Sequence, residues 1–235
     1  MYNIDSVPKT INQAMKSKNW NVWQQAINIE MSNLLSHNTY TLVDRPPPDT
    51  QVVSCRWVFS KKKDHLGNII PKARLVAGGF VQHYGDTYQD TYAPMSRMTS
   101  VRCMMQPVAN YGFITHQLDI TTAFLNADLD YTIFMEQPPG SIRDPSKVCL
   151  LHKSIYGLHQ SAKLWNDNID DFLKGLNFKR NNADLCLYMR RDKRGITFVI
   201  LWVDDVVIAE NLNLISNFIN EMSKVYKVKN LGCLK

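Results

Sequence analysis

The sequence predicts an α+β fold, and three observations carry that reading. Helical spacing of apolar residues appears in separated stretches, short β-rich runs stand between them at irregular intervals, and no regular strand–helix–strand alternation runs through the chain. The 235 residues are 45% hydrophobic and 20% charged, enough for a buried core and outside the disordered range. The longest apolar run, Phe198 to Val203, is far short of a membrane span. The opening MYNIDSVPKT lacks the basic-then-apolar pattern of a secretory signal. Five widely spaced cysteines with no CxxC argue against a disulfide framework or zinc finger and for a reducing, intracellular compartment. A net charge of +6 favours polyanionic partners such as nucleic acid.

The first element is a helix. Trp20, Trp23, Ile27, Met31, Leu34 and Leu35 fall on one face at three- and four-residue spacing, and the helix should end near His37-Asn38. A short strand at 40–43 follows, and Pro46-Pro47-Pro48 enforces an extended connection. The β-rich runs 52–59 and 69–76 read as a hairpin with a basic tip, Lys61-Lys62-Lys63-Asp64-His65-Leu66, turning at Gly67-Asn68. A helix over 100–110 is expected to be kinked or cut short by Pro107. Beyond it, 113–119 reads as a strand, 121–126 as a short turn or helix and 131–136 as a strand, before Gln137-Pro138-Pro139-Gly140 breaks the chain. A long amphipathic helix then carries Leu158, Trp165, Ile169, Phe172, Leu173 and Leu176 inward. A hairpin of 185–191 and 196–203 crosses at Arg191-Asp192-Lys193-Arg194-Gly195, a strand runs over 206–209, and Leu212, Ile215, Ile219, Met222 and Tyr226 mark a last helix.

The chemistry concentrates at Asp204-Asp205. Two carboxylates interrupt an otherwise apolar stretch from Phe198 to Ala209, so the pair should sit at a tight turn between two buried strands. Two negative charges beside a core need a cation, and a divalent metal with hard oxygen ligands supplies one. The plain alternative is a hairpin turn, where Asp is common. Asp119 ends a β-like run ahead of a short turn-like segment, where it would either cap a helix or join the pair. Three carboxylates on one sheet edge suit two metal ions about 3.5–4 Å apart in phosphoryl transfer.

A colinear series of motifs extends this reading. It runs Trp23…Ala26…Glu30, Asn38-Thr39-Tyr40-Thr41-Leu42-Val43, Arg56-Trp57-Val58-Phe59, Lys72-Ala73-Arg74-Leu75-Val76-Ala77-Gly78-Gly79-Phe80 and Tyr92-Ala93-Pro94…Arg97…Ser100-Val101-Arg102. It continues with Gln117-Leu118-Asp119-Ile120, Thr122-Ala123-Phe124-Leu125-Asn126, Met135-Glu136-Gln137-Pro138-Pro139-Gly140, Lys153-Ser154-Ile155-Tyr156-Gly157-Leu158-His159-Gln160 and Val203-Asp204-Asp205. In this order, over nearly the whole chain, the sequence resembles the reverse transcriptase domain of copia-type long-terminal-repeat retrotransposons.

The resemblance implies one domain over 1–235, a right-hand polymerase with fingers over about 20–110 and mainly palm over about 111–235, C-terminally truncated and with the thumb absent. It implies an RNA-directed DNA polymerase that transfers deoxynucleotides to a primer 3′-hydroxyl with two Mg²⁺ ions, or Mn²⁺ in their place. Asp119, Asp204 and Asp205 would be the catalytic and metal-binding carboxylates, joined by the backbone carbonyl of Ile120. Phe124 would exclude a ribose 2′-hydroxyl by its bulk, where the plain reading makes it core. Thr122 and Ala123 would offer backbone N–H groups to the triphosphate. Lys62 and Arg74 would close over it, ahead of Lys72, where the plain reading is a solvated basic hairpin. Gln160 matches a glutamine beside the nucleotide. The partners implied are an RNA template, a DNA primer, deoxynucleoside triphosphates and further Pol segments or a second subunit, with no membrane. The compartment implied is the cytoplasm, in a virus-like particle.

The chain departs from the family pattern at Trp202, where Tyr is usual, at His159 and Ser161-Ala162-Lys163 around the glutamine, at Asn126-Ala127 and at Gln106-Pro107. None of these removes a carboxylate. Two other readings stay open: a catalytically inactive remnant that binds nucleic acid through its basic hairpin, and a different two-metal phosphoryl-transfer enzyme such as a nuclease.

Overall fold

The computed structural model describes residues 6–63, 67–141, 144–193, 195–210 and 215–234. Asp64, His65 and Leu66 of the expected first hairpin tip, Arg194 of the second and Leu212 of the expected last helix lie outside the described residues. In chain order the elements are α1 (Ile11–Met15), α2 (Trp20–Ser36), β1 (Tyr40–Asp44), β2 (Val52–Val53), β3 (Cys55–Lys63), β4 (Ile69–Ala77) and a 3-10 turn (Gly79–Val81). Then come α3 (Met98–Tyr111), β5 (Ile114–Ile120), a second 3-10 turn (Ala123–Asn126), β6 (Asp128–Met135), β7 (Lys147–Lys153) and α4 (Ser161–Gly175). The last are β8 (Lys179–Arg180), β9 (Leu187–Asp192), β10 (Gly195–Trp202), β11 (Asp205–Glu210), α5 (Ile215–Ser223) and β12 (Val228–Gly232). The α+β class is therefore as expected. The elements group into two units, each built from two stretches of chain: Met1–Thr91 with Ala127–Ser161, and Tyr92–Asn126 with Ala162–Lys235. The sequence reading instead divides the chain once, near residue 110.

In the first unit, α2 forms where the apolar spacing places it and buries Val22, Trp23, Ala26 and Leu34. Leu35, expected inward, is exposed, because one residue of helix turns the side chain about 100° away from the buried Leu34. Trp23 meets Phe59 of β3 edge to face at 5.3 Å, and Glu30 accepts a hydrogen bond from the Leu75 amide of β4 at 3.3 Å. These contacts seat the β3–β4 hairpin on α2. The run 52–59 is not one strand. Val52–Val53 pairs parallel with β6, while β3 pairs antiparallel with β4 from Cys55–Ala77 to Lys63–Ile69.

The remaining sheet of this unit has the order β1-β7-β6-β2. Sequence reading overlooks β7, because Val148, Cys149 and Leu151 are all buried and an interior strand shows no apolar–polar alternation.

The second unit is a six-stranded antiparallel sheet of order β12-β5-β11-β10-β9-β8. On one face, Met104 of α3 packs with Ile200 of β10 and Ala209 of β11. The helix α3 continues through Pro107 to Tyr111, so of the two expected effects of proline, a kink or an early stop, the early stop does not occur. Proline at this position removes the amide that would bond the Cys103 carbonyl, and Cys103 is an exposed residue. On the other face, Tyr188 of β9 donates to Asp170 of α4 at 2.9 Å, and Trp165, Ile169 and Leu173 of α4 are buried. The side chains of Leu158 and Leu176, expected on that helix, lie just outside its ends.

Candidate active site

The hairpin joining β10 to β11 turns through two residues, Val203 and Asp204, between the paired Trp202 and Asp205. So tight a turn needs positive φ, and Val203 takes it at +54°. Two bonds pin the turn. Trp165 Nε1 donates to the Val203 carbonyl at 2.9 Å, and the Ile120 amide donates to the Asp204 carbonyl at 2.8 Å.

Pairing of β11 with β5 sets Asp205 directly across from Asp119, and alternation puts Gln117 on their face of the sheet. Gln117 Nε2 donates to Asp205 Oδ1 at 3.1 Å. The three carboxylates are half-buried, and they share the end of the sheet at which β5 and β11 meet the turn. The register pairs two of the three acids, Asp119 and Asp205, and Asp204 stands next to Asp205 in the turn.

The segment after Asp119 is equally constrained. Thr122 has φ +59°. Its carbonyl accepts from the Leu125 amide at 2.9 Å and from Asn126 Nδ2 at 3.2 Å, and the Thr121 amide donates to the Lys227 carbonyl at 2.9 Å. Ala123 and Phe124 are buried. Among the described residues, four non-glycines have positive φ. Two are asparagines, which tolerate it, and the other two are the β-branched Thr122 and Val203. Both strained residues lie within three positions of an acid of this cluster, and strain of about 1–3 kcal/mol per residue is characteristic of functional sites.

Lys62, Arg74 and Gln160 belong to the first unit. Register places Arg56, Lys62, Lys72 and Arg74 on one face of the β3–β4 hairpin, the face opposite the buried Trp57, Phe59, Ala73 and Leu75. Arg74 lies 4.8 Å over the ring of Tyr156. Gln160 is buried, and both ends of its amide are engaged. Its Oε1 accepts from Gln82 at 3.1 Å, and its Nε2 donates to the Thr87 carbonyl at 2.8 Å.

A divalent metal fits this donor set by chemistry, since three carboxylates and neighbouring backbone carbonyls are hard oxygen ligands. Among the described residues, no three His, Cys, Asp or Glu side chains already stand close enough to hold an ion.

Several residues of this site escape sequence reading. Gln117 and Trp165 act through contacts between distant elements. The strained φ of Thr122 and Val203 leaves no mark in composition. Lys229 of β12 sits opposite Asp119 only because of strand pairing.

An antiparallel sheet with acids at a hairpin turn and on the neighbouring strand, in an α+β chain, is an arrangement suited to phosphoryl transfer. The profile of the reverse transcriptase (RNA-dependent DNA polymerase) family matches residues 37–235, and the chain belongs to that family. Its relatives include the retrovirus-related Pol polyprotein from transposon RE2 of Arabidopsis thaliana, 34% identical over 229 residues, which are 96% of this chain and 16% of the polyprotein. The corresponding polyprotein from transposon TNT 1-94 of Nicotiana tabacum is 34% identical over 97% of this chain and 18% of its own length. The chain thus spans less than a fifth of the length of each of these two relatives. A foamy viral protease–reverse transcriptase structure in complex with double-stranded DNA covers 90% of this chain and is covered over 32% of its own, at 12% identity and a TM-score of 0.42.

Proposed function

We propose that this chain is the fingers and palm portion of an RNA-directed DNA polymerase, and that Asp119, Asp204 and Asp205 are its catalytic carboxylates. The observation that carries the reading is the register pairing of Asp119 with Asp205 beside a strained turn that holds Asp204. Asp119, Asp204, Asp205 and the Ile120 carbonyl would hold two Mg²⁺ ions. When bound, these supply the charge neutralisation and hydroxyl activation that transfer of a deoxynucleotide to a primer 3′-hydroxyl requires.

The chain's own residues do the rest. Trp165 and the Ile120 amide keep the turn in place by their bonds to the carbonyls of Val203 and Asp204. Gln117 holds Asp205 through its hydrogen bond to Oδ1. The backbone of Thr122 and Ala123 is proposed to bind the triphosphate, with Phe124 beneath the sugar to exclude a 2′-hydroxyl. Lys62 and Arg74 are proposed as phosphate contacts, Arg74 through its planar fork. Gln160, whose amide is bonded to Gln82 and Thr87, is proposed to serve the nucleotide by positioning that loop. An RNA template and a DNA primer are the proposed macromolecular partners.

Primer extension on an RNA template with Mg²⁺ or Mn²⁺ tests the reading, with Asp204→Asn as the comparison. Metal-dependent incorporation by the native chain, reduced at least about 10³-fold in the variant while template–primer binding persists, is the expected result. A folded native chain that binds nucleic acid but incorporates nothing, indistinguishable from Asp204→Asn, would favour the non-catalytic remnant. Cleavage of nucleic acid without added nucleotide would favour a nuclease.

A further inference from the structure

None of the five cysteines is joined in a disulfide, and they occupy different surroundings. Cys149 and Cys186 are buried, and burial pushes their thiols up to about 12 and about 11. Cys55 is half-buried and donates to the Glu136 carbonyl. Cys103 is exposed on α3. Cys233 is exposed as well, just past the end of β12, and its Sγ lies 3.4 Å from His116 Nε2. His116 belongs to β5, so sheet pairing rather than sequence brings the two together.

The ring is held by a third residue, and the bonds determine its tautomer. Asn230 Oδ1 accepts from the Gly232 amide at 2.9 Å, which identifies that atom as the oxygen of the amide. The same oxygen lies 3.3 Å from His116 Nδ1, so Nδ1 must carry the hydrogen and donate. In the neutral ring Nε2 then has a lone pair that faces the thiol. A nucleophile beside a base, with the base oriented by a third group, is the arrangement that activates a side chain for attack.

We infer that Cys233, His116 and Asn230 form an activated-thiol site, at which Cys233 undergoes exchange with small disulfides of the oxidised-glutathione class. The Cys233 Sγ–H proton passes to His116 Nε2, and the resulting thiolate attacks one sulfur of the disulfide. A new S–S bond to Cys233 forms as the original S–S bond breaks, and the departing thiolate takes the proton from His116. One disulfide and one thiol enter, and one mixed disulfide and one thiol leave, with no net oxidation. The site is distinct from the carboxylate cluster and independent of the polymerase reading, so it stands or falls on its own measurement.

The experiment exposes the full chain to oxidised glutathione and follows modification of each cysteine with time by peptide-mapping mass spectrometry, with Cys103 as the exposed internal reference. Cys233 should react about tenfold faster than Cys103. His116→Gln should bring Cys233 down to the Cys103 rate while leaving Cys103 unchanged, and Asn230→Ala should slow Cys233 severalfold by freeing the tautomer. Equal rates for Cys233 and Cys103 in the native chain would overturn the inference. So would a Cys233 rate that His116→Gln leaves unaltered in a protein with native circular dichroism.

Discussion

Single residues carry the most consequential constraints here. Val203 and Thr122 are β-branched side chains in a backbone conformation that disfavours them, and each stands beside the acidic cluster. Their neighbours hold them there through named bonds, from Trp165 to the Val203 carbonyl and from Asn126 to the Thr122 carbonyl. Glu30 shows the opposite economy. Burial under the hairpin pushes its carboxyl above the ordinary range, against the opposing pull of the Leu75 amide and of Arg74 and Lys72. The folded state therefore holds this proton more tightly than the unfolded chain, and stability from this group is lost as pH rises through the folded value. Glu30→Gln keeps the acceptor for Leu75 and removes the charge. It should be more stable than the native chain at pH 7, with the difference shrinking toward pH 5, as read from denaturant midpoints at both pH values. A difference that does not change with pH would remove Glu30 from this role.

At the scale of elements, close backbone approach explains a motif whose purpose is opaque in sequence. The segment Lys153–Gln160 passes beside the end of β4, where the Ala77 amide donates to the Tyr156 carbonyl at 2.7 Å. Gly157 has φ +97°, and a Cβ there would overlap the Ala77 carbonyl oxygen. Glycine is required at this point on both counts. The same approach brings Tyr156 under Arg74. Gly157→Ala should destabilise the chain by about 3 kcal/mol or more, visible as a lowered unfolding midpoint, because the neighbour it meets is backbone. A substitution tolerated within about 0.5 kcal/mol would mean that the segment relaxes away from β4.

For the whole molecule, the balance of charge matters more than any one contact. The net charge is +6, and four cations share the outer face of β3–β4. If that face takes nucleic-acid phosphates, the double change Lys62→Gln with Arg74→Gln should weaken template–primer binding and flatten its dependence on salt. The slope of log K against log salt is expected to fall by about 1–2, measured by fluorescence anisotropy across a salt series. An unchanged slope would move the phosphate contacts elsewhere. Among the described residues, no helix is long and apolar enough to cross a membrane.

The sequence by itself determined the class of fold, the helices with clean apolar periodicity, a tight turn at Asp204 and the motif order that places the chain in its family. These are legible because they depend on local spacing: a helix face repeats every 3.6 residues, and a carboxylate pair inside an apolar run has few places to go. The tertiary structure alone decided that Asp119 faces Asp205 and that Gln117 restrains one of the acids. It also decided that β7 is an interior strand, that the run 52–59 serves two sheets and that His116 meets Cys233. Each of these is a matter of strand pairing between residues far apart in the chain. Register is set by the summed burial of whole strands and by backbone hydrogen bonds, which are the same for nearly every residue type, so no single position records its partner.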